Sequence, residues 1–275
     1  MLFVLYLSIF SIIYIFNNLE VGNFGSGKHS ALIEINGVIA ANTEARADYV
    51  ITGLRRAFED ENTQGIILRI NSPGGSPVQA GYINDEIIRL RAKHQNIPVY
   101  AVITDMCASG GYYIASAADK IYANKASIVG SIGVVMAGFG FVETIEKLGI
   151  ERRLLHAGDN KGFMDPFRPL KAAETIHIQG LLNEIHQQFI DVVKQGRGDR
   201  LKDDETLFSG LIWTGKESIK LGLVDELASA SQIARDVIGA EDIIDYTKRE
   251  NYLDQFSKKI GSAMLQSMND SIRLQ

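Results

Sequence analysis

The chain of 275 residues has a single cysteine, Cys107, so no intramolecular disulfide can form and the fold must be held by its core. Basic residues are not in excess. Lys and Arg number 28 against 33 Asp and Glu, a net charge of -5, and no basic run is wide enough to track phosphates, so nucleic acid is not an expected partner. Clusters of Cys and His with metal-ligand spacing are lacking too, and no metal or other cofactor is expected. No Lys or Arg precedes Lys28, and Val21-Gly22-Asn23 is a poor small-residue cleavage site. A cleaved signal peptide needs both features. What is present at the N-terminus is MLFVLYLSIFSIIYIF, uncharged and interrupted only by Ser8 and Ser11. A helix apolar all round suits lipid better than a core. At 1.5 Å per residue, sixteen residues cover roughly 24 Å of a hydrocarbon layer of about 30 Å, and Asn17–Leu19 nearly close the gap. Residues 1–19 therefore read as a transmembrane anchor. The Gly-, Ser- and Asn-rich stretch 20–29 reads as a linker.

From Ala31 the pattern becomes strand, glycine-rich turn, helix. Apolar strands are expected over Ala31–Ile39, Gly65–Ile70, Val99–Ile103, Lys120–Asn124 and Ile128–Met136, with another in the run RRLLHAG before Lys161. Helical spacing appears over 45–60, in the segment holding Ile83, Ile87 and Leu90, over Tyr112–Ala118, and over 170–195. Alternation of this kind predicts an α/β domain with largely parallel strands, here residues 30–240, and a helical tail over 241–275. Turns that follow strands lie at the carboxyl edge of the sheet, where α/β folds place their sites.

Three segments carry candidate chemistry. Asn71–Gly75 (NSPGG) offers backbone N–H groups at a strand end, although alone it is a turn. Met106–Gly111 (MCASGG) puts Ser109 where a small-residue helix starts, a position that suits a capping serine or a nucleophile beside oxyanion-facing amides. Ala157–Lys161 (AGDNK) holds a lone lysine, by default a solvated charge.

The order NSPGG, ASGGYYIAS, GSIGV and AG-x-x-K with a following Pro-Phe pair resembles the signal peptide peptidase A family, as do Trp213-Thr214-Gly215 and Gly222-Leu223-Val224-Asp225. The resemblance covers about residues 30–240. It implies a Clp/crotonase-type α/β fold and a membrane-anchored serine endopeptidase. Ser109 matches the nucleophile, Lys161 the general base and Ser131 the serine that orients the lysine. The amides of Gly74 or Gly75 and of Gly110 match the oxyanion hole. The implied substrates are remnant signal peptides and unfolded, apolar segments. The implied location is the bacterial cytoplasmic membrane, with the domain on its outer side. A half-length member is expected to form a homo-oligomeric ring, of eight subunits, in which Ser109 of one protomer meets Lys161 of the next. Asp159-Asn160 and Ser209–Ile212 depart from the family's usual residues, which bears on subsite shape.

Such a dyad is chemically reasonable. A serine hydroxyl needs a base within hydrogen-bond reach. An ammonium becomes a base only when desolvated, and Phe163, Met164 and Phe167 are the apolar residues near Lys161 that could do this. Other readings fit the residues less well. A Ser-His-Asp protease lacks its base, because no histidine lies between His94 and His156. His156 reads as a packed side chain, and His29, His177 and His186 as incidental. A crotonase-type acyl-CoA enzyme would not need Ser109, Ser131 and Lys161 together. A catalytically silent membrane scaffold is a further alternative, against which the intact Ser-Lys pair argues. Cys107 reads as a small buried hydrophobe rather than a thiol nucleophile. Asp105 and Asp119 read as surface or capping groups.

Overall fold

The computed structural model describes residues 27–249. Strands β1 (His29–Asn36), β2 (Thr63–Ser72) and β3 (Val99–Ala108) pair in parallel and are buried on both faces along most of their length. Such strands need continuous apolar runs, which ALIEI and GIILRI supply. Alternate residues serve different faces. Ile66, Leu68 and Ile70 join the main core, whereas Ile67 joins Leu32, Val102 and Tyr122 in a smaller cluster on the other side.

Helix α1 (Ala47–Glu59) buries Val50, Leu54, Ala57 and Phe58, an i, i+4, i+7, i+8 stripe. Helix α2 (Pro77–Lys93) starts with Pro77 in the first turn, and the Ser76 side chain accepts from the Gln79 amide. It buries Ala80, Ile83, Ile87 and Leu90. Further along come the short helix α3 (Gly110–Ala115), strands β4 (Lys120–Ala123) and β5 (Ile128–Gly130), and helices α4 (Val142–Lys147) and α5 (Ala172–Arg197). Strand β6 (Ile212–Thr214), helix α6 (Gly215–Lys220) and strands β7 (Glu226–Leu227) and β8 (Ile243–Asp245) follow. The eight strands form one mixed sheet in the order β6-β5-β3-β2-β1-β8, with β4 on β3 and β7 on β4. Among the described residues only the β5–β6 pair is antiparallel.

The sheet forks along β3. Tyr100–Ile103 pair with β4, and Met106–Ala108 pair with β5. Ser109 leaves the sheet directly beyond the second prong.

Several expectations need correction. The strand expected over Ile128–Met136 stops at Gly130, because Gly130 (φ 111°) and Ser131 (φ 54°) turn the chain out of the ladder. No strand forms in RRLLHAG. Residues 151–160 are exposed throughout, so an apolar pattern there finds no neighbour to pair with. The sheet runs past residue 240, since β8 pairs with β1 through Ser30–Ile243 and Ala31–Ile244. His29 is not incidental. It opens β1, is fully buried, and lies 2.9 Å from the Tyr246 hydroxyl, which itself donates to Asp60 over 2.6 Å. The anchor over 1–19, most of the 20–29 linker and the tail from residue 250 lie outside the described residues. Among the described residues no helix is long and apolar enough to cross a membrane.

Candidate active site

Ser109 is the residue between β3 and α3. Its backbone has φ 51° and ψ -122°, a conformation that a residue with a Cβ adopts only when its surroundings impose it. They do so here: the Ser109 amide donates to the Gly130 carbonyl (2.9 Å), and the Ser109 carbonyl accepts from Tyr113 N (3.0 Å). A strand ending this sharply in a helix projects its side chain out of the turn. The Ser109 hydroxyl makes no side-chain cap bond to α3, is half-buried, and lines a groove of about 880 Å³.

The NSPGG turn lies against it. Ile39 N donates to Gly74 O and Ser76 N donates to Ile39 O, so Gly75 is held in a parallel bridge with Ile39. A Cβ on Gly75 would collide with the Ile39 carbonyl, and a Cβ on Gly74 would stand 2.7 Å from both Gly110 N and Ser109 Cβ. Only glycine fits this approach. The two amides of NSPGG differ in what they do. Gly74 N donates to the Ser72 hydroxyl (3.0 Å) and is occupied. Gly75 N and Gly110 N, which lie beside each other, have no acceptor among the described residues. Of the glycines named in the sequence reading, Gly75 and Gly110 therefore present free donors next to the Ser109 side chain, and Gly74 serves as the close-packing residue.

Ser131 lines the same groove from the β5 prong. Its amide donates to Leu211 O (2.7 Å) and its carbonyl accepts from Gly133 N (2.9 Å). Gly130 makes this possible by admitting the Trp213 ring, whose Cε3 and Cζ3 would be 2.7 Å from a Cβ there. Trp213 is thus a packing residue. Thr214 caps α6, and Gly215 fits where a Cβ would strike the Asn124 carbonyl. The Gly222–Asp225 segment is structural as well. The Asp225 carboxylate takes two 2.9 Å bonds from Arg197, which is 1% exposed and also donates to Gly222 O. The sequence reading missed Arg197, since one arginine at a helix end gives no signal until its partner is known.

Lys161 is placed elsewhere. It sits in a turn after the exposed stretch 151–160, its side chain makes no hydrogen bond to Ser109, and it does not line the groove. Phe163 packs edge-on to His177, and Phe167 stacks near Phe141 and Arg152, so none of the nearby aromatic rings shields the lysine from water within one protomer. Between Ile132 and Glu174 no residue is buried, although Val135, Phe139 and Leu155 are more than four-fifths exposed. His156 is exposed rather than packed, and among the described residues its ring bonds to Gly158 O. Cys107 is fully buried, and burial pushes its thiol far above the range in which a thiolate forms. Asp105, exposed within β3, accepts from Asn71, and Asp119, in the bend before β4, accepts from Val99 N and Arg91.

A half-buried serine on a forced strand-to-helix turn, with two unpaired amides beside it, is the constellation of an acyl-transfer site. The family follows from comparison with known proteins. A model of peptidase family S49 matches residues 91–240, more than half of the chain, and the chain belongs to that family. It is 31% identical over 236 residues to a putative signal peptide peptidase SppA of Enterococcus faecium, covering 83% of this chain and 65% of that protein. It is 33% identical over 187 residues to the chloroplastic serine protease SPPA of Arabidopsis thaliana, with 68% and 27% covered. A Brucella melitensis protein named Na(+)/H(+) antiporter NhaA is 47% identical over 186 residues, which is 68% of this chain but only 25% of that one. The chain thus spans a quarter to two-thirds of the length of these relatives, and the antiporter name describes a protein that lies mostly outside the match.

Proposed function

We propose that the chain is a serine endopeptidase that cleaves peptides by an acyl-enzyme mechanism on a Clp/crotonase-like fold. The observation that carries this reading is Ser109 at φ 51°, beside the unpaired amides of Gly75 and Gly110. In this mechanism Ser109 Oγ attacks the peptide carbonyl carbon as its proton passes to a neutral Lys161 amine. The carbonyl oxygen becomes an oxyanion and accepts from Gly75 N and Gly110 N, donors that are already oriented and need no reorganisation. The C–N bond then breaks, Lys161 returns the proton to the leaving amine, and a water hydrolyses the ester by the same sequence. Ser131, which faces the same groove, would hold the amine.

Lys161 would come from a neighbouring copy. The exposed position of Lys161 and the unburied 133–173 arm with its apolar side chains support an assembly in which the arm covers a neighbour's surface. A lysine seated in the largely apolar groove of the next protomer loses its proton more readily than one in water. We take that assembly to be a closed ring, of eight subunits by the family resemblance. Residues 1–19 would anchor each subunit in the bacterial cytoplasmic membrane with the domain on its outer side. Remnant signal peptides and unfolded apolar segments would be the substrates.

The test is reaction of the full chain with a fluorophosphonate, followed by peptide mapping. Stoichiometric modification at Ser109, with peptide hydrolysis abolished in Ser109→Ala, is the expected result. Hydrolysis that persists in Ser109→Ala would refute the reading.

A further inference from the structure

The wall of the groove formed by α2 has a definite chemistry. Val78, Tyr82 and Asp85 fall at i, i+4 and i+7 on that helix and all line the groove. Val78 and Tyr82 are more than half exposed, which is unusual for side chains of this size unless something covers them. The groove is also lined by Tyr113 and Phe189, whose rings lie 5.2 Å apart. Asp85 is the charged residue among the described residues that line this groove. It is exposed, and its carboxylate has no ion pair or hydrogen bond among the described residues.

Its place along the groove can be measured along the helix. α2 starts at Pro77, next to the Gly75 amide, and α3 starts next to Ser109. Eight residues of helix put Asp85 about 12 Å from that start. Asn84 donates to the Tyr113 carbonyl (2.8 Å), which pins this level of α2 one turn of α3 beyond Ser109. An extended peptide rises about 3.3 Å per residue, so one turn along α3 and about 12 Å along α2 together put Asp85 roughly two to four residues from the Ser109 hydroxyl.

We propose that Asp85 is a specificity residue that selects peptides carrying a lysine or arginine side chain two to four residues from the bond cleaved, with apolar residues between. The inference rests on the peptidase reading and names the substrate class of the same groove. A largely apolar groove with one unpaired carboxylate in its lining complements an apolar segment flanked by a cation, the pattern found where the basic n-region of a signal peptide meets its apolar stretch. A neutral apolar peptide would leave Asp85 unpaired, and an acidic one would be repelled.

The experiment uses N-acetylated apolar peptides in which lysine, or its uncharged counterpart norleucine, is moved through the four positions on either side of the cleaved bond. In wild type, kcat/KM should favour lysine over norleucine by about three- to fivefold at one register, the size expected of a solvent-exposed charge pair. That ratio should shrink in 500 mM salt. In Asp85→Asn it should fall to one, and in Asp85→Lys a glutamate at the same register should be favoured instead. A peptide with a free amino terminus in place of the lysine separates a side-chain cation from a terminal one. Preference for the free terminus alone would overturn the proposal, as would a lysine ratio unchanged in Asp85→Asn. Binding of the same peptides to Ser109→Ala protein, read by fluorescence anisotropy, separates this inference from the reading beneath it. If wild type hydrolyses nothing but lysine preference in binding is lost in Asp85→Asn, the peptidase reading falls and the Asp85 assignment stands. If binding shows no lysine preference at any register, the assignment fails whatever the hydrolysis shows.

Discussion

The amide of Ser109 donates to the carbonyl of Gly130 over 2.9 Å, and both residues have positive φ. This bond joins the two turns that bring Ser109 and Ser131 into one groove. Its weak point is Gly130, where a Cβ would meet the Trp213 ring at 2.7 Å and the Leu211 carbonyl at 3.0 Å. Gly130→Ala should cost about 2–4 kcal/mol, from backbone strain plus overpacking. It should also lower reaction at Ser109 more than tenfold at temperatures where the variant is still folded. Thermal denaturation paired with labelling kinetics checks this, and a Gly130→Ala protein with wild-type labelling would show that the two turns are not coupled.

The shared-site proposal predicts complementation. Lys161→Ala and Lys161→Arg should each be inactive, since arginine keeps its proton throughout the accessible pH range. Mixed assemblies of Ser109→Ala and Lys161→Ala protomers should regain measurable activity, because some interfaces then pair an intact serine with an intact lysine. Peptide hydrolysis by mass-verified mixed oligomers is the measurement. Complete inactivity in such oligomers would exclude a base supplied in trans.

Arg197 and Asp225 make a prediction about stability rather than chemistry. Asp225→Asn leaves a fully buried guanidinium without its counter-charge and should cost about 3–5 kcal/mol. Replacing both residues, as Arg197→Met with Asp225→Leu, should recover much of that loss, because the uncompensated charge is then gone. Urea denaturation of the three variants tests the pair. Equal destabilisation in the single and double variants would contradict it.

Acid sensitivity should have one identifiable contributor. Glu86, buried between α1 and α2, accepts from Arg89 (2.7 Å) and Arg55 (2.6 Å). The Arg89 bond, with help from Arg55 and against the opposing effect of burial, holds its carboxyl down at about 2, compared with 4.5 for a free glutamate. The folded state therefore binds fewer protons than the unfolded state between these values. The contribution of Glu86 is complete above pH 4.5 and is lost as pH falls toward 2. With both arginines more than half exposed, roughly 1–2 kcal/mol is expected. The stability gap between wild type and Glu86→Gln, measured in urea, should be widest near pH 6 and vanish toward pH 2. A gap that does not change with pH would rule out the ion pair as its source.

Much of this molecule is determined by local sequence. The runs ALIEI and GIILRI must be strands buried on both faces, and the stripe Val50, Leu54, Ala57, Phe58 must be a helix face, because periodicity and solvent exclusion leave those segments little choice. NSPGG and ASGG must be turns at strand ends. What tertiary structure alone decided is which groups meet. Gly74 and Gly75 are equivalent on paper. Their roles separate only because Ser72 takes the Gly74 amide and Ile39, far off in sequence, brackets Gly75. His29 reads as linker until β8 returns beside β1 and brings Tyr246 to it. RRLLHAG has a strand's composition but no strand to pair with, so it stays exposed and carries Lys161 away from Ser109. A strand's composition is local, whereas its pairing, and every contact in the site, depends on residues that the chain brings back from a distance.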